Sequence, residues 1–131
     1  MDSGKARIFM EETNLVDVVR NVRRNFEKRT IDYVLLYELY QEYNPRPDNA
    51  EFISISKKYF PRYNCGLASV YLQHLLGSKI VQRSYQQYQH TVLLQGKIII
   101  DITADQFDGP KMYVGALKRP WCIGNYRVIP R

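Results

Sequence analysis

The chain has 131 residues, 45% of them hydrophobic and 24% charged, which suits one compact domain over residues 1–131 and excludes a chain too polar to fold. No run approaches the roughly 20 apolar residues that a membrane span needs. The polar stretch Met1 to Arg7 is not followed by the apolar run of a signal peptide, so the expectation is a soluble protein, cytoplasmic when made, with export by a route without a cleaved signal left open.

Nineteen basic residues against thirteen acidic ones give a net charge of +6. Much of it lies in Arg20–Arg29, where Arg20, Arg23, Arg24, Lys28 and Arg29 face only Glu27. The plain expectation is a solvated helix face, and the functional alternative is a docking surface for an acidic partner. No RNP-like, zinc-finger or helix-turn-helix signature favours nucleic acid. Two cysteines and two histidines, scattered along the chain, do not have zinc-site spacing, so no metal or cofactor is expected. Cys122 lies in the apolar stretch Trp121-Cys122-Ile123 and reads as a small core residue. A disulfide to Cys65 is not expected in a reducing cytosol.

In chain order, Leu15, Val18, Val19, Val22 and Phe26 recur at helical spacing, with Thr13 or Asn14 able to cap. Thr30 reads as a second cap or a bend before the helix Ile31–Tyr43. Asn44-Pro45-Arg46-Pro47 ends that helix, because proline removes a donor and disfavours helix just before it. Phe52–Phe60 is compatible with a short strand or a brief helix. Cys65 opens a helix that runs to about Leu76, and Gly77 stands where a left-handed cap would end it. Beyond Lys79 the pattern turns to strands: Ile80-Val81, His90–Leu94, Lys97–Thr103, Met112–Val114 and Tyr126–Ile129. Helices first and strands after predict an α+β domain, with N-terminal helices and the Cys65 helix packed on a small antiparallel sheet.

Two strands joined at Gln95-Gly96 make a specific geometric claim. If those two residues are the turn, Leu94 pairs with Lys97 and His90 falls directly opposite Asp101, Cβ atoms about 4.5–5.5 Å apart on one face. A three-residue loop would put the two on opposite faces. A carboxylate beside one imidazole nitrogen leaves the other available as a base. Asp101 interrupts Ile98-Ile99-Ile100 and precedes Ile102, a setting in which a charge needs a partner; an exposed His–Asp pair would contribute less than about 1 kcal/mol. Asp105 is the alternative orienter. Cys65 stands at a helix start, where the dipole and unpaired N–H groups lower a thiol pKa and can hold an oxyanion. Gly66 leaves room for a substrate. His74 lies about 13 Å further along the same helix, too far to serve as the base. Gln106 and Asp108 read as cleft rim or loop. A helix-start cysteine followed by a His/Asp hairpin supplies nucleophile, base and orienter for thiol acyl transfer.

Asn64-Cys65-Gly66, then His90, then Ile100-Asp101-Ile102-Thr103-Ala104-Asp105-Gln106-Phe107 resembles the papain-like cysteine-hydrolase superfamily, most nearly its small bacterial transglutaminase-like members. The resemblance covers about residues 60–115. It implies Cys65 as nucleophile, His90 as general base and then acid, and Asp101 as orienter, in a hydrolase of the kind found among bacterial effectors. Papain-like enzymes often add an oxyanion-hole glutamine just before the cysteine. Tyr59–Asn64 contains none, so Asn64 or a backbone N–H would have to serve. The expected activity is thiol-dependent hydrolysis of an amide in a protein or peptide, as protease, isopeptidase or glutamine deamidase. The alternatives are transglutaminase-type acyl transfer and a non-catalytic basic domain that binds an acidic protein or nucleic acid.

Overall fold

The computed structural model describes residues 13–85, 88–118 and 121–122. Four helices, α1 (Thr13–Lys28), α2 (Tyr33–Tyr43), α3 (Asn49–Tyr59) and α4 (Cys65–Leu76), precede five strands. The strands are β1 (Lys79–Tyr85), β2 (Tyr88–Gln95), β3 (Ile98–Asp101), β4 (Tyr113–Ala116) and β5 (Trp121–Cys122), with a 3₁₀ turn at Ala104–Phe107. The fold is α+β. The sheet is antiparallel in the order β4-β3-β2-β1-β5. Met112–Val114 is thus realised one residue later, and Tyr126–Ile129 lies outside the described residues.

On α1, Leu15, Val19, Val22 and Phe26 form one buried stripe. Phe26 stacks on Phe60 and meets Tyr71 edge-on, and its burial contributes about 1.5–3 kcal/mol. Asp32, not Thr30, caps α2, accepting from the Leu35 N–H at 3.1 Å; the Thr30 hydroxyl turns back to Asn25 instead. Ile31 before that cap and Leu36 inside the helix are both buried in the same cluster, a hydrophobic staple. The segment compatible with strand or helix is helix α3. Its buried residues Asn49, Ile53 and Ser56 recur at spacings of four and three, a helical stripe. Gly77 closes α4 at φ +69°, its N–H on the Gln73 carbonyl.

The sheet has two apolar faces. Leu93, Ile98, Ile100 and Val114 pack against the helices, while Val92, Ile99, Tyr113 and Trp121 form a second layer. The β2–β3 register corrects the expected one: Gln95 pairs with Ile98, Leu94 with Ile99 and Leu93 with Ile100. The turn is therefore Gly96-Lys97, with Gly96 at φ +60°. Placing glycine first lets it alone take the positive φ, whereas a Gln95-Gly96 turn of the favoured type would force it on Gln95 as well. The slip is two residues, the period of a strand, so His90 and Asp101 keep a common face as diagonal neighbours.

Candidate active site

Asp101 is buried at the end of β3 and accepts three hydrogen bonds. Its Oδ2 takes one from Trp121 Nε1 at 2.8 Å and faces His90 Nε2 at 2.7 Å. Its Oδ1 takes the Thr103 N–H at 2.9 Å. These donors offset what burial of a lone carboxylate would cost. They also commit Nε2 of His90 to the aspartate, so Nδ1 is the ring nitrogen left to act on the thiol. Phe107 packs edge-on against the imidazole, centroids 5.2 Å apart, and fixes its plane.

Cys65 reaches this pair because β3 ends where it does. In the observed register the β2–β3 ladder ends at Leu93 and Ile100, and β3 stops at Asp101, short of the residue that would face Thr91. The backbone of Thr91 then turns to α4. Ser69 Oγ donates to the Cys65 carbonyl at 2.7 Å and lies 3.3 Å from the Thr91 carbonyl. One buried hydroxyl thus ties the helix of Cys65 to the strand that carries His90.

The electrostatics favour a thiolate. Burial pushes the Cys65 thiol up, but the His90 ring, by hydrogen bond and by charge, and the Thr91 N–H and hydroxyl outweigh it. The net result lies below the ordinary thiol value. Burial likewise pushes the His90 imidazole down, yet Asp101 and Cys65 more than reverse it, and its pKa rises to about 9. The two shifts have the same sense: each favours the proton on the imidazole over the sulfur. No side chain caps the start of α4, so the amides of its first turn remain as donors beside the sulfur.

A cavity of about 490 Å³ opens over Cys65 and Gly66. Its lining includes Tyr40, Tyr43, Phe52 and Tyr63 together with Gln82 and Gln106, and among the described residues no ordinarily charged side chain. The Tyr40 ring lies over Gly66, its Cε1 at 3.4 Å from where a Cβ would stand; Gly66 therefore makes room for a cavity wall as well as for a ligand. Tyr63 sits at φ +67° immediately before Asn64, a left-handed conformation that costs a non-glycine residue about 1–3 kcal/mol.

Cys65, His90 and Asp101 are thus brought together, and Asp105, Asn64 and His74 do not join them. Asp105 belongs to a different cluster, held by Arg23 Nη1 and Nη2, each at 2.8 Å. Asn64 does not stand ready as an oxyanion donor. It is buried, and its amide donates to the Ser56 carbonyl at 2.9 Å and the Arg62 carbonyl at 2.7 Å. His74 is exposed on α4. The Cys122 side chain lies outside the described residues. The basic segment also needs correction. Arg23 is buried, not a free cation: it also donates to the Ile102 carbonyl at 2.7 Å and to Glu27 at 3.0 Å, and its guanidinium lies 4.6 Å from the Phe60 ring centroid. Arg20 pairs with Asp17 at 2.9 Å.

Two contributors were not legible as such, Ser69 and Trp121, while Gln106, read as cleft rim or loop, lines the cavity. Ser69 stands four residues after the cysteine, one helical turn on, and that spacing was a usable signal. Trp121 read only as apolar. Gln106 has a buried Nε2 with no hydrogen-bond partner among the described residues, a state that costs about 1–3 kcal/mol. Comparison with known proteins finds no family model, no curated protein and no solved structure that matches this chain. Among the described residues no cluster of His, Cys, Asp and Glu could hold a metal ion, and no helix is long and apolar enough to cross a membrane.

Proposed function

We propose that the protein is a thiol-dependent amide hydrolase that acts on a protein or peptide through Cys65, His90 and Asp101. The observation that carries this reading is the buried contact of 2.7 Å between His90 Nε2 and Asp101, and the lowered pKa of the Cys65 thiol beside the same ring supports it. The Cys65 thiolate attacks a substrate carbonyl carbon, a C–S bond forms, and the π electron pair moves to oxygen. As that pair returns, the C–N bond breaks and the His90 imidazolium gives its proton to the departing amine. Neutral His90 then takes a proton from water, whose oxygen attacks the thioester and releases the acid and the thiolate. His90 therefore acts first as acid and then as base, the reverse of the order expected for a neutral thiol. Asp101 holds the ring and stabilises its cationic form throughout.

The cavity supports an uncharged acyl group beside the sulfur, because among the described residues no ordinarily charged side chain lines it to match a charged one. The resemblance of Asn64-Cys65-Gly66, His90 and Ile100–Phe107 to papain-like enzymes points the same way. Treating the protein with p-nitrophenyl acetate and analysing it by intact mass is the direct test. Wild type should carry one acetyl group on Cys65 and release it by hydrolysis. Cys65→Ala should fold and carry none, while Cys122→Ala should behave as wild type. Equal turnover by folded Cys65→Ala would overturn the assignment. Transfer of the acetyl group to an added primary amine in preference to water would move the reading to transglutaminase-type chemistry.

A further inference from the structure

An acyl transferase needs donors where the carbonyl oxygen becomes negative, and α4 supplies backbone N–H groups on one side only. The glutamine that papain-like enzymes place before the cysteine has no counterpart in Tyr59–Asn64, and the Asn64 amide is spent on two backbone carbonyls. The Cys65 cavity is also lined by Gln106, however, whose Nε2 is buried without a partner among the described residues. We propose that Gln106 is the second oxyanion donor, its side-chain N–H binding the carbonyl oxygen of an uncharged acyl group as Cys65 attacks.

Several observations hold Gln106 where this role needs it. Its N–H bonds the Thr103 carbonyl at 3.1 Å, and the Thr103 N–H bonds Asp101. The orienter carboxylate and the donor are thereby two ends of one short hydrogen-bonded chain. Arg23 fixes the same stretch from α1 by gripping Asp105 and the Ile102 carbonyl, so that Arg23 acts as a positioning residue for Gln106. Next in sequence, Phe107 lies against His90. The backbone of Gln106 is thus set, while its terminal amide torsion stays soft and two-fold. A half-turn exchanges the amide nitrogen and oxygen, so an arriving oxyanion can draw the unpartnered N–H into the cavity. A buried donor without a partner asks for an explanation, and an anionic ligand oxygen provides one.

This inference rests on the acyl-transfer reading above, and two probes separate the two. Acetylation of Cys65 by p-nitrophenyl acetate passes through an oxyanion. Alkylation by iodoacetamide does not, because the sulfur displaces iodide and the negative charge leaves with it. Gln106→Ala, and Gln106→Met in case the smaller side chain unsettles the loop, should lower the acetylation rate about 100- to 1,000-fold, the effect of removing one oxyanion donor. Both should leave the alkylation rate at Cys65 unchanged. Gln106→Glu should be slower still, since its carboxylate repels the developing charge. Acetylation at the wild-type rate in folded Gln106→Met would overturn the proposal. Alkylation falling in step with acetylation would overturn it too, since Gln106 would then act through the thiolate. Wild type that alkylates quickly but never acetylates would instead remove the acyl-transfer reading itself.

Discussion

Asp101 and Asp105 lie one helical turn apart in number, yet they do opposite things. Asp101 faces an imidazole, an indole N–H and a backbone N–H, with almost no surface exposed. Asp105 faces the guanidinium of Arg23, two oxygens to two nitrogens, at the partly exposed side of the same loop. A guanidinium keeps its proton at any pH at which the protein folds, so the Arg23–Asp105 pair can only hold. An imidazole changes charge within the range in which proteins stay folded, here near pH 9, so the His90–Asp101 pair can hold and also respond. The partner, not the aspartate, separates a bracket from a pair that can respond to pH. The bracket serves the orienter, because the stretch from Ile102 to Lys111 that Arg23 gathers begins beside Asp101.

The largest expected effect lies at the responsive pair. Asp101→Asn keeps the shape but has one acceptor oxygen, so with that oxygen on the Thr103 N–H its amide nitrogen faces Trp121 Nε1 and His90 Nε2. It cannot stabilise an imidazolium, and it favours the wrong tautomer of His90. Turnover of an acyl substrate should fall by up to about 10,000-fold, while the circular dichroism spectrum stays that of wild type. Turnover within a small factor of wild type would show that His90 needs no carboxylate. The bracket should answer in the opposite way. Arg23→Ala leaves a largely buried carboxylate and two backbone carbonyls without their donor, and unfolding by urea should show a loss of about 3–5 kcal/mol. In the fraction that remains folded, Cys65 should alkylate as fast as in wild type. A slower alkylation in folded Arg23→Ala would mean that the bracket tunes the thiolate and that the contrast is false.

The sequence pattern carried the responsive pair better than the bracket, and for a physical reason. The period of a strand is two, so a register error of two left His90 and Asp101 on one face. The error came from placing glycine second in a turn that puts it first. Cys65 was legible because a helix start is a local event, with Gly77 marking the far end. The Arg23–Asp105 pair spans 82 positions, and nothing local in a run of basic residues tells the buried member from the exposed ones. Trp121 looked apolar because its single N–H becomes informative only once a buried carboxylate is beside it. Helix α3 was ambiguous because Phe52-Ile53-Ser54-Ile55-Ser56 alternates like a strand. The wider stripe Asn49, Ile53, Ser56, Phe60 resolves it.

The smallest effect expected, and the most discriminating, is on stability as a function of pH. His90 has a folded pKa raised to about 9 from the ordinary 6.5. Its contribution is therefore full below about 6.5 and is lost as pH rises through about 9. Cys65 is shifted the other way, below its ordinary 9.0; its contribution is present above that value and is lost as pH falls through the lowered one. Between the lowered Cys65 pKa and about 9, the folded site holds one proton, on imidazole. Above about 6.5 the unfolded chain also holds one, on sulfur. The proton counts match, so the pair adds no slope to the stability curve over that shared range. Cys65→Ser removes the sulfur's half of the balance while Asp101 still raises the His90 pKa. Its stability should then decline from about pH 6.5 upward, by at most about 1.4 kcal/mol per pH unit, relative to wild type. Asp105→Asn should be less stable than wild type by an amount that does not vary over the same range, since Arg23 does not titrate there. Urea midpoints at several pH values for the three proteins decide the matter. Parallel curves for wild type and Cys65→Ser would show that no proton moves from Cys65 to His90 on folding, and with it the thiolate–imidazolium pair would fall.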